Sequence, residues 1–247
     1  MDEKLNAISF ELVGRFAHFR KYYTNTSSLT YDFPPRTTVI GLLAGILGRK
    51  RDSYYEEFSL ENTLTAILLK SSNRKLIQTV KNIHTGEKFG IGNLISGDRN
   101  PSLTQMQLIV PELGEIRYKI YFHHTDEETL SELYHRMNDK RYCYPPFMGS
   151  AQFMADIENP KRLKMRKSSE KKIEIHSVCP ETVIRGLEFD LKNSIFRDIQ
   201  PISFSWSDGK RHPMYRNMIY SKFRHTLKFS PKYYYTTDRD NIVFLEK

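Results

Sequence analysis

Residues 33–48 read Phe33-Pro34-Pro35-Arg36-Thr37-Thr38-Val39-Ile40-Gly41-Leu42-Leu43-Ala44-Gly45-Ile46-Leu47-Gly48. Val39, Leu42, Leu43, Ile46 and Leu47 recur at i, i+3, i+4, i+7 and i+8, the period of an amphipathic helix. The two prolines hold the chain extended before it, because each fixes its own φ and restricts the preceding residue. Thr37 or Thr38 offers a hydroxyl for the N-cap, and Gly48 ends the helix. Gly41, Ala44, Gly45 and Gly48 leave a second face almost bare, although a glycine inside a helix costs about 1 kcal/mol. Such a face predicts a close neighbour, most often a sheet.

On the N-terminal side of this helix, Ile8, Phe10 and Leu12 alternate with Ser9 and Glu11, the pattern of a half-buried strand. On the C-terminal side, residues 64–70 and 75–83 read as a hairpin around Ser72-Asn73. Residues 84–102 differ in kind: Gly86, Gly90, Gly92, Gly97 and Pro101 predict a loop or protruding hairpin. Strand character returns at Gln105–Val110 and Ile116–His124. Thr125-Asp126-Glu127-Glu128 then forms a capping box, and Leu130, Leu133, Tyr134 and Met137 give a helix its buried stripe. Beyond Pro145-Pro146, Phe147–Ile157 is expected as a strand.

The order strand, helix, strands, helix, strand predicts an α+β chain with a ferredoxin-like (RRM-like) βαββαβ core over residues 1–157, a thumb inserted at about 84–102, and a β-rich C-terminal region over 158–247. In that last region, Ile173–Val178 and Thr182–Phe189 are the expected short strands.

Lys and Arg outnumber Asp and Glu by 38 to 29, so the average surface attracts polyanions, nucleic acid foremost. The longest apolar run, Val39–Leu47, is about half of the ~20 residues that span a bilayer. Met1-Asp2-Glu3-Lys4 lacks the regions of a signal peptide, so a cytoplasmic protein is expected. Cys143 and Cys179 form no CxxC pair and are expected as buried thiols, with no zinc site and no other cofactor.

The run 33–48, preceded by Phe16-Ala17-His18-Phe19-Arg20 and Leu29-Thr30-Tyr31, resembles the N-terminal signature of the CRISPR-associated Cas-five family of RAMP proteins. A second match is Tyr144-Pro145-Pro146-Phe147-Met148-Gly149-Ser150-Ala151-Gln152-Phe153-Met154-Ala155, similar to the stretch before that family's last core strand. The resemblance covers roughly residues 8–157. It implies a non-catalytic subunit of a type I interference (Cascade) complex, of the I-B kind, in antiviral defence. Such a subunit binds the 5′ handle of the CRISPR RNA (crRNA), contacts the backbone and large subunits, and lies near target DNA beside the protospacer-adjacent motif.

The chain's own chemistry agrees, because Lys and Arg neutralise phosphates while Phe and Tyr stack on splayed bases. Both kinds interleave at His18, Phe19, Arg20, Lys21, Tyr22 and Tyr23, and again along 210–224 with Arg211, Tyr215 and Arg224. The RNA-binding candidates are therefore His18, Phe19, Arg20, Lys21, Tyr31, Arg36, Thr37 and Thr38 around the first helix, Lys88 and Arg99 in the thumb, and Arg211, Tyr215 and Arg224. Each has a plainer reading: Arg36 pairs equally well with a core carboxylate, and loop charges are usually solvated. The basic run Lys161–Lys167 reads as a solvated face or as a clamp on guide RNA or target DNA.

Two rival functions remain. A metal-independent endoribonuclease that processes repeat RNA needs a base and a cation; His123-His124 with Lys119 and Tyr121, or His84 near Lys81, are the groups available. A general nucleic-acid module needs only the charge.

Overall fold

A computed structural model describes residues 4–24, 27–83, 95–96, 101–169, 172–189, 194–222, 226–237 and 239–246. Its strands are β1 (Lys4–Gly14), β2 (Ser27–Ser28), β3 (Thr63–Leu69), β4 (Asn73–Ile83), β5 (Pro101–Pro111), β6 (Ile116–His124), β7 (Asp156–Ser168), β8 (Ile173–Ile175), β9 (Cys179–Pro180), β10 (Ile195–Ser207), β11 (Lys210–Ser221), β12 (Leu227–Phe229), β13 (Tyr234–Thr236) and β14 (Asn241–Ile242). The helices are α1 (Arg36–Leu47) and α2 (Glu127–Asn138).

The main sheet runs β14-β13-β7-β1-β6-β3 with every neighbour antiparallel. Alternation along β1 and β6 gives it two apolar faces. On one, Ile8, Phe10, Leu12, Tyr118, Ile120 and Phe122 pack with Leu43 and Ile46 of α1 and Leu130, Leu133 and Met137 of α2. On the other, Ala7, Ala66, Leu68, Tyr121 and Met165 meet Tyr235, Ile242 and Phe244 from the C-terminal end. Each large side chain fully removed from water contributes roughly 1.5–3 kcal/mol.

Several expectations change here. β3 and β4 follow one another around Ser72 but do not pair: β3 joins β6 in the main sheet, while β4 pairs with β5 along its whole length. A turn signal reports that two strands are consecutive, not that they share a ladder. The inserted hairpin therefore has arms at 73–83 and 101–111, longer than the glycine-rich stretch alone, and β2 lies parallel beside β5. The last core strand starts at Asp156, not at Phe147; Phe147 and Met154 only form an isolated bridge. The basic run Lys161–Lys167 is part of that strand, so a division at 157/158 cuts β7, and β13 and β14 extend the same sheet. Residues 182–189 hold no strand; a 3-10 turn covers Glu181–Val183.

Helix starts shift as well. The α1 N-cap is Pro35, with no side-chain cap from Thr37 or Thr38. Asp126, one residue past the threonine expected, caps α2 by accepting from the Glu128 and Thr129 amides. At its glycines the bare face of α1 is approached by Tyr54 and by the 143–144 segment. A Cβ on Gly41 would touch the Tyr54 hydroxyl at 3.4 Å, and one on Gly48, at φ +76°, would sit 2.8 Å from Cys143 Sγ. Cys179 is buried as expected, but Cys143 is exposed.

Beyond the core, β10 and β11 form a long hairpin closed by Asp208-Gly209, both at positive φ as a type I′ turn requires.

Candidate nucleic-acid interface

After β1 the chain makes a loop pinned on three sides. Ala17 and Ile109 exchange both backbone hydrogen bonds, the His18 amide donates to Met148 O (3.0 Å), and the Tyr31 amide donates to Phe19 O (2.9 Å). These constraints turn some of the signature residues inward. His18 is 3% exposed, with its ring nitrogens at 2.8 Å from Gln107 O and Ser28 Oγ. Burial holds its pKa below the usual histidine range, which favours the neutral ring at neutral pH. Phe19 lies edge-on to Tyr118 in the core, and Tyr31 is fully buried.

Arg36 is also interior, at 2% exposure. It is paired with Glu246 and donates to Ile202 O (2.9 Å), Phe58 O (3.1 Å), Ser59 O (3.1 Å) and the Thr63 hydroxyl. The core-carboxylate reading of Arg36 is the one realised. As placed, His18, Phe19, Tyr31 and Arg36 offer no side chain to an external strand. Thr37 and Thr38 are half-buried on the first turn of α1.

What the loop presents outward is its tip. Arg20 is exposed, donating to Thr24 O, and Tyr22 and Tyr23 are each half-exposed. Tyr22 stacks on Tyr215 of β11 (centroids 4.1 Å, planes 26°), and Tyr23 meets Tyr22 edge-on at 5.1 Å. Lys21 bonds Asp198 of β10 at 2.6 Å and lies 5.1 Å from the Tyr31 ring centre. Burial works against the Lys21 charge, but the Asp198 carboxylate outweighs it and raises the pKa.

Beside this tip sits a second cluster, which the sequence did not single out. Asp32 is bridged by Lys75 of β4 (3.2 Å) and Lys222 just past β11 (3.3 Å), and it accepts from the Tyr220 hydroxyl at 2.5 Å. Lys222 also lies 4.2 Å from the Phe196 ring centre. Lys21, Lys75 and Lys222 thus meet two carboxylates, Asp32 and Asp198, leaving positive charge in excess beside three tyrosine rings. Lys75 carried no signal, being one charge on an alternating strand. Tyr22 and Lys222 stood in the interleaved segments, yet nothing local brings them together.

Burial raises the Asp32 pKa, but Lys75, the Tyr220 hydroxyl and Lys222 together hold it below the usual carboxylate range. A lowered folded pKa stabilises above the unfolded value of about 3.9, and the benefit fades as pH falls through the folded value. Asp32→Asn is therefore expected to destabilise the protein at pH 7 by about 2 kcal/mol, less than for a fully buried pair because both lysines are partly solvated. The deficit should shrink steadily below about pH 4, as wild-type Asp32 protonates. Urea denaturation of both proteins across pH checks this; a constant deficit at every pH would refute the charge assignment.

Other candidates lie elsewhere. Arg211 is at the β10–β11 tip, bound to Asp52 at 2.7 Å and 5.8 Å from the Phe204 ring centre, four residues along β11 from Tyr215. Lys88, Arg99, Arg224 and His84 fall outside the described residues. His124 is 4% exposed: its Nδ1 accepts from the Asp126 amide (2.9 Å), so Nε2 donates to Glu57 O (3.1 Å). His123 points to the other face and bonds Asn6 O. Among the described residues no group of three His, Cys, Asp or Glu side chains is placed to hold a metal, and no helix is long and apolar enough to cross a membrane.

An antiparallel sheet backed by two helices, with an inserted hairpin and a cationic, tyrosine-bearing corner, defines an α+β, RAMP-like protein. Similar architecture occurs in a CRISPR protein from Archaeoglobus fulgidus (TM-score 0.58, 16% identity, 97% of this chain and 99% of that one) and in a chain of a CRISPR RNA-guided surveillance complex (TM-score 0.51, 11% identity, 87% and 90%). At these identities the likeness concerns the fold. Residues 7–92, about a third of the chain, match the family described as CRISPR-associated protein (Cas_Cas5). No curated protein matches the chain.

Proposed function

We propose that this chain is a non-catalytic, RNA-binding subunit of a type I CRISPR interference complex, of the I-B kind, that grips the 5′ handle of the crRNA in the cytoplasm. Its backbone and large subunits are the neighbours, and target DNA beside the protospacer-adjacent motif is a further contact. The order β7-β1-β6-β3, with α1 and α2 on one face, supports a ferredoxin-like core, an arrangement that recurs in RNA-recognition modules. The observation that carries the function is the Tyr22–Tyr215 stack beside Lys21, Lys75 and Lys222. Flat rings receive unpaired bases and ammonium groups neutralise phosphates, the two needs of a single-stranded RNA site. His124, committed on both nitrogens, is poorly placed to act as a base, which supports the non-catalytic reading over the endoribonuclease.

Repeat-derived handle RNA is expected to bind more tightly than scrambled RNA at equal salt, measured by fluorescence anisotropy. The double variant Tyr22→Ala/Tyr215→Ala should weaken the handle complex on the order of tenfold or more, since each stacked base contributes roughly 1–3 kcal/mol. Its melting temperature should barely change. Equal affinity for handle and scrambled RNA would favour the general nucleic-acid module, and EDTA-resistant cleavage of repeat RNA lost in His124→Ala would favour the nuclease.

A further inference from the structure

The opposite face of the main sheet carries a separate cleft. Tyr118 and Lys119 are neighbours on β6: the Tyr118 hydroxyl reaches Asp32 O on the side of the tyrosine corner, so Lys119 points the other way. On that side, a cross-strand row Lys161–Ser9–Tyr121 lies next to Glu158–Glu11–Lys119. Thr237 and Arg239, in the turn that joins β13 to β14, complete the wall of a cleft of about 610 Å³. Its size falls within the roughly 300–1,000 Å³ of ligand-binding pockets.

The charges here are unevenly matched. Glu11 (3.1 Å) and Glu158 (2.7 Å) are both held by Arg117, and Asp240 bonds Lys119 and the Tyr121 hydroxyl, each at 2.6 Å. Each of these three carboxylates is thereby engaged. Lys161 and Arg239 have no acidic partner among the described residues, and they come from separate segments brought to one concavity. The floor also differs from the tyrosine corner in offering no exposed ring, since Tyr121 is 1% exposed with its hydroxyl tied down.

We propose that this cleft is a second nucleic-acid site, one that holds the sugar-phosphate backbone of a strand through Lys161 and Arg239 without reading bases. Backbone contacts position a strand and carry no sequence information, which is what cations without rings provide. The strand is RNA or DNA, whose phosphodiester chemistry is shared.

Binding of a uridine oligonucleotide, a thymidine oligonucleotide and a random-sequence DNA duplex to the full chain, measured against salt, tests this. For single strands, the slope of log affinity against log salt is expected to shrink by about 1.4 in Lys161→Gln/Arg239→Gln, roughly 0.7 for each cation lost, with affinity falling on the order of tenfold. In Tyr22→Ala/Tyr215→Ala that slope component should persist, which separates failure here from failure of the handle site. As a measurement free of mutation, acetylation of Lys161 in the wild-type chain should be suppressed by bound oligonucleotide. Protection by RNA alone would identify a guide strand as the occupant, and protection by DNA a target strand. An unchanged slope in the Lys161/Arg239 variant together with undiminished Lys161 acetylation under all three probes would overturn the proposal.

Discussion

Arg36→Ala is expected to lower the unfolding free energy by roughly 3–5 kcal/mol, the range for breaking a buried ion pair from one side. For a chain of this length that corresponds to a melting temperature lower by on the order of 10 °C. Arg36 and Glu246 are 2% and 1% exposed, and the same guanidinium serves three carbonyls and the Thr63 hydroxyl. The site joins α1, the β3 entry, β10 and the chain's C-terminal end, because Glu246 also accepts from the Thr65 amide. Alanine leaves that carboxylate in the interior with the Thr65 amide and only the charge of Arg216 near it, and the carbonyls unserved, so much of the desolvation cost is uncompensated. Arg36→Lys should recover little, since one ammonium cannot reproduce a five-donor fork. Arg36→Met/Glu246→Leu should recover a good part, because removing both partners strands neither of them, and Arg216 loses an attractive and a repulsive neighbour together. Thermal and urea unfolding of the three variants measures this; a loss below about 1 kcal/mol for Arg36→Ala would show that the pair is not structural.

Arg36 also shows where the sequence stops being informative. Its partner stands 210 residues away, and a cation after two prolines looks the same whether it faces a phosphate or a carboxylate. Periodicity placed α1, α2, β1 and β6 because their buried stripes repeat locally. β7 escaped because only Ile157 and Met165 along it are buried, and a bulge at Asn159 (φ 52°) breaks the alternation. The pairing of β3 with β6 depends on two strands separated by the whole inserted hairpin, which no turn signal encodes. At the candidate site, composition identified the tip 18–23 as basic and aromatic. Which residues face out was decided by the backbone bonds of Ala17, His18 and Tyr31, and these depend on Ile109, Met148 and Phe19. Tyr215 was legible as a candidate, but its stacking on Tyr22 was not.

The same pinning explains why glycine stands within the second signature stretch, and it carries the other large effect. Gly149→Ala is expected to destabilise the protein by about 2–5 kcal/mol: roughly 1–2 for a non-glycine residue in left-handed backbone, plus roughly 1–3 for a buried hydrogen bond lost as the turn retreats. Gly149 has φ +85°, and a Cβ there would lie 2.2 Å from His18 O and 2.7 Å from Phe19 Cδ1. No rotamer change relieves a clash with a backbone oxygen, so the 147–154 turn must move away and release the His18 amide from Met148 O. The loop bearing Lys21, Tyr22 and Tyr23 then loses one of its anchors, and handle-RNA affinity should fall although Gly149 touches none of those side chains. Gly48→Ala is the informative comparison. It too has positive φ, but its obstacle is the Cys143 side chain, so Cys143→Ala should restore part of its stability, whereas Phe19→Ala should restore little to Gly149→Ala. Calorimetric melting combined with RNA anisotropy tests both points, and a Gly149→Ala protein melting within a degree or so of wild type would mean that the turn does not hold the loop.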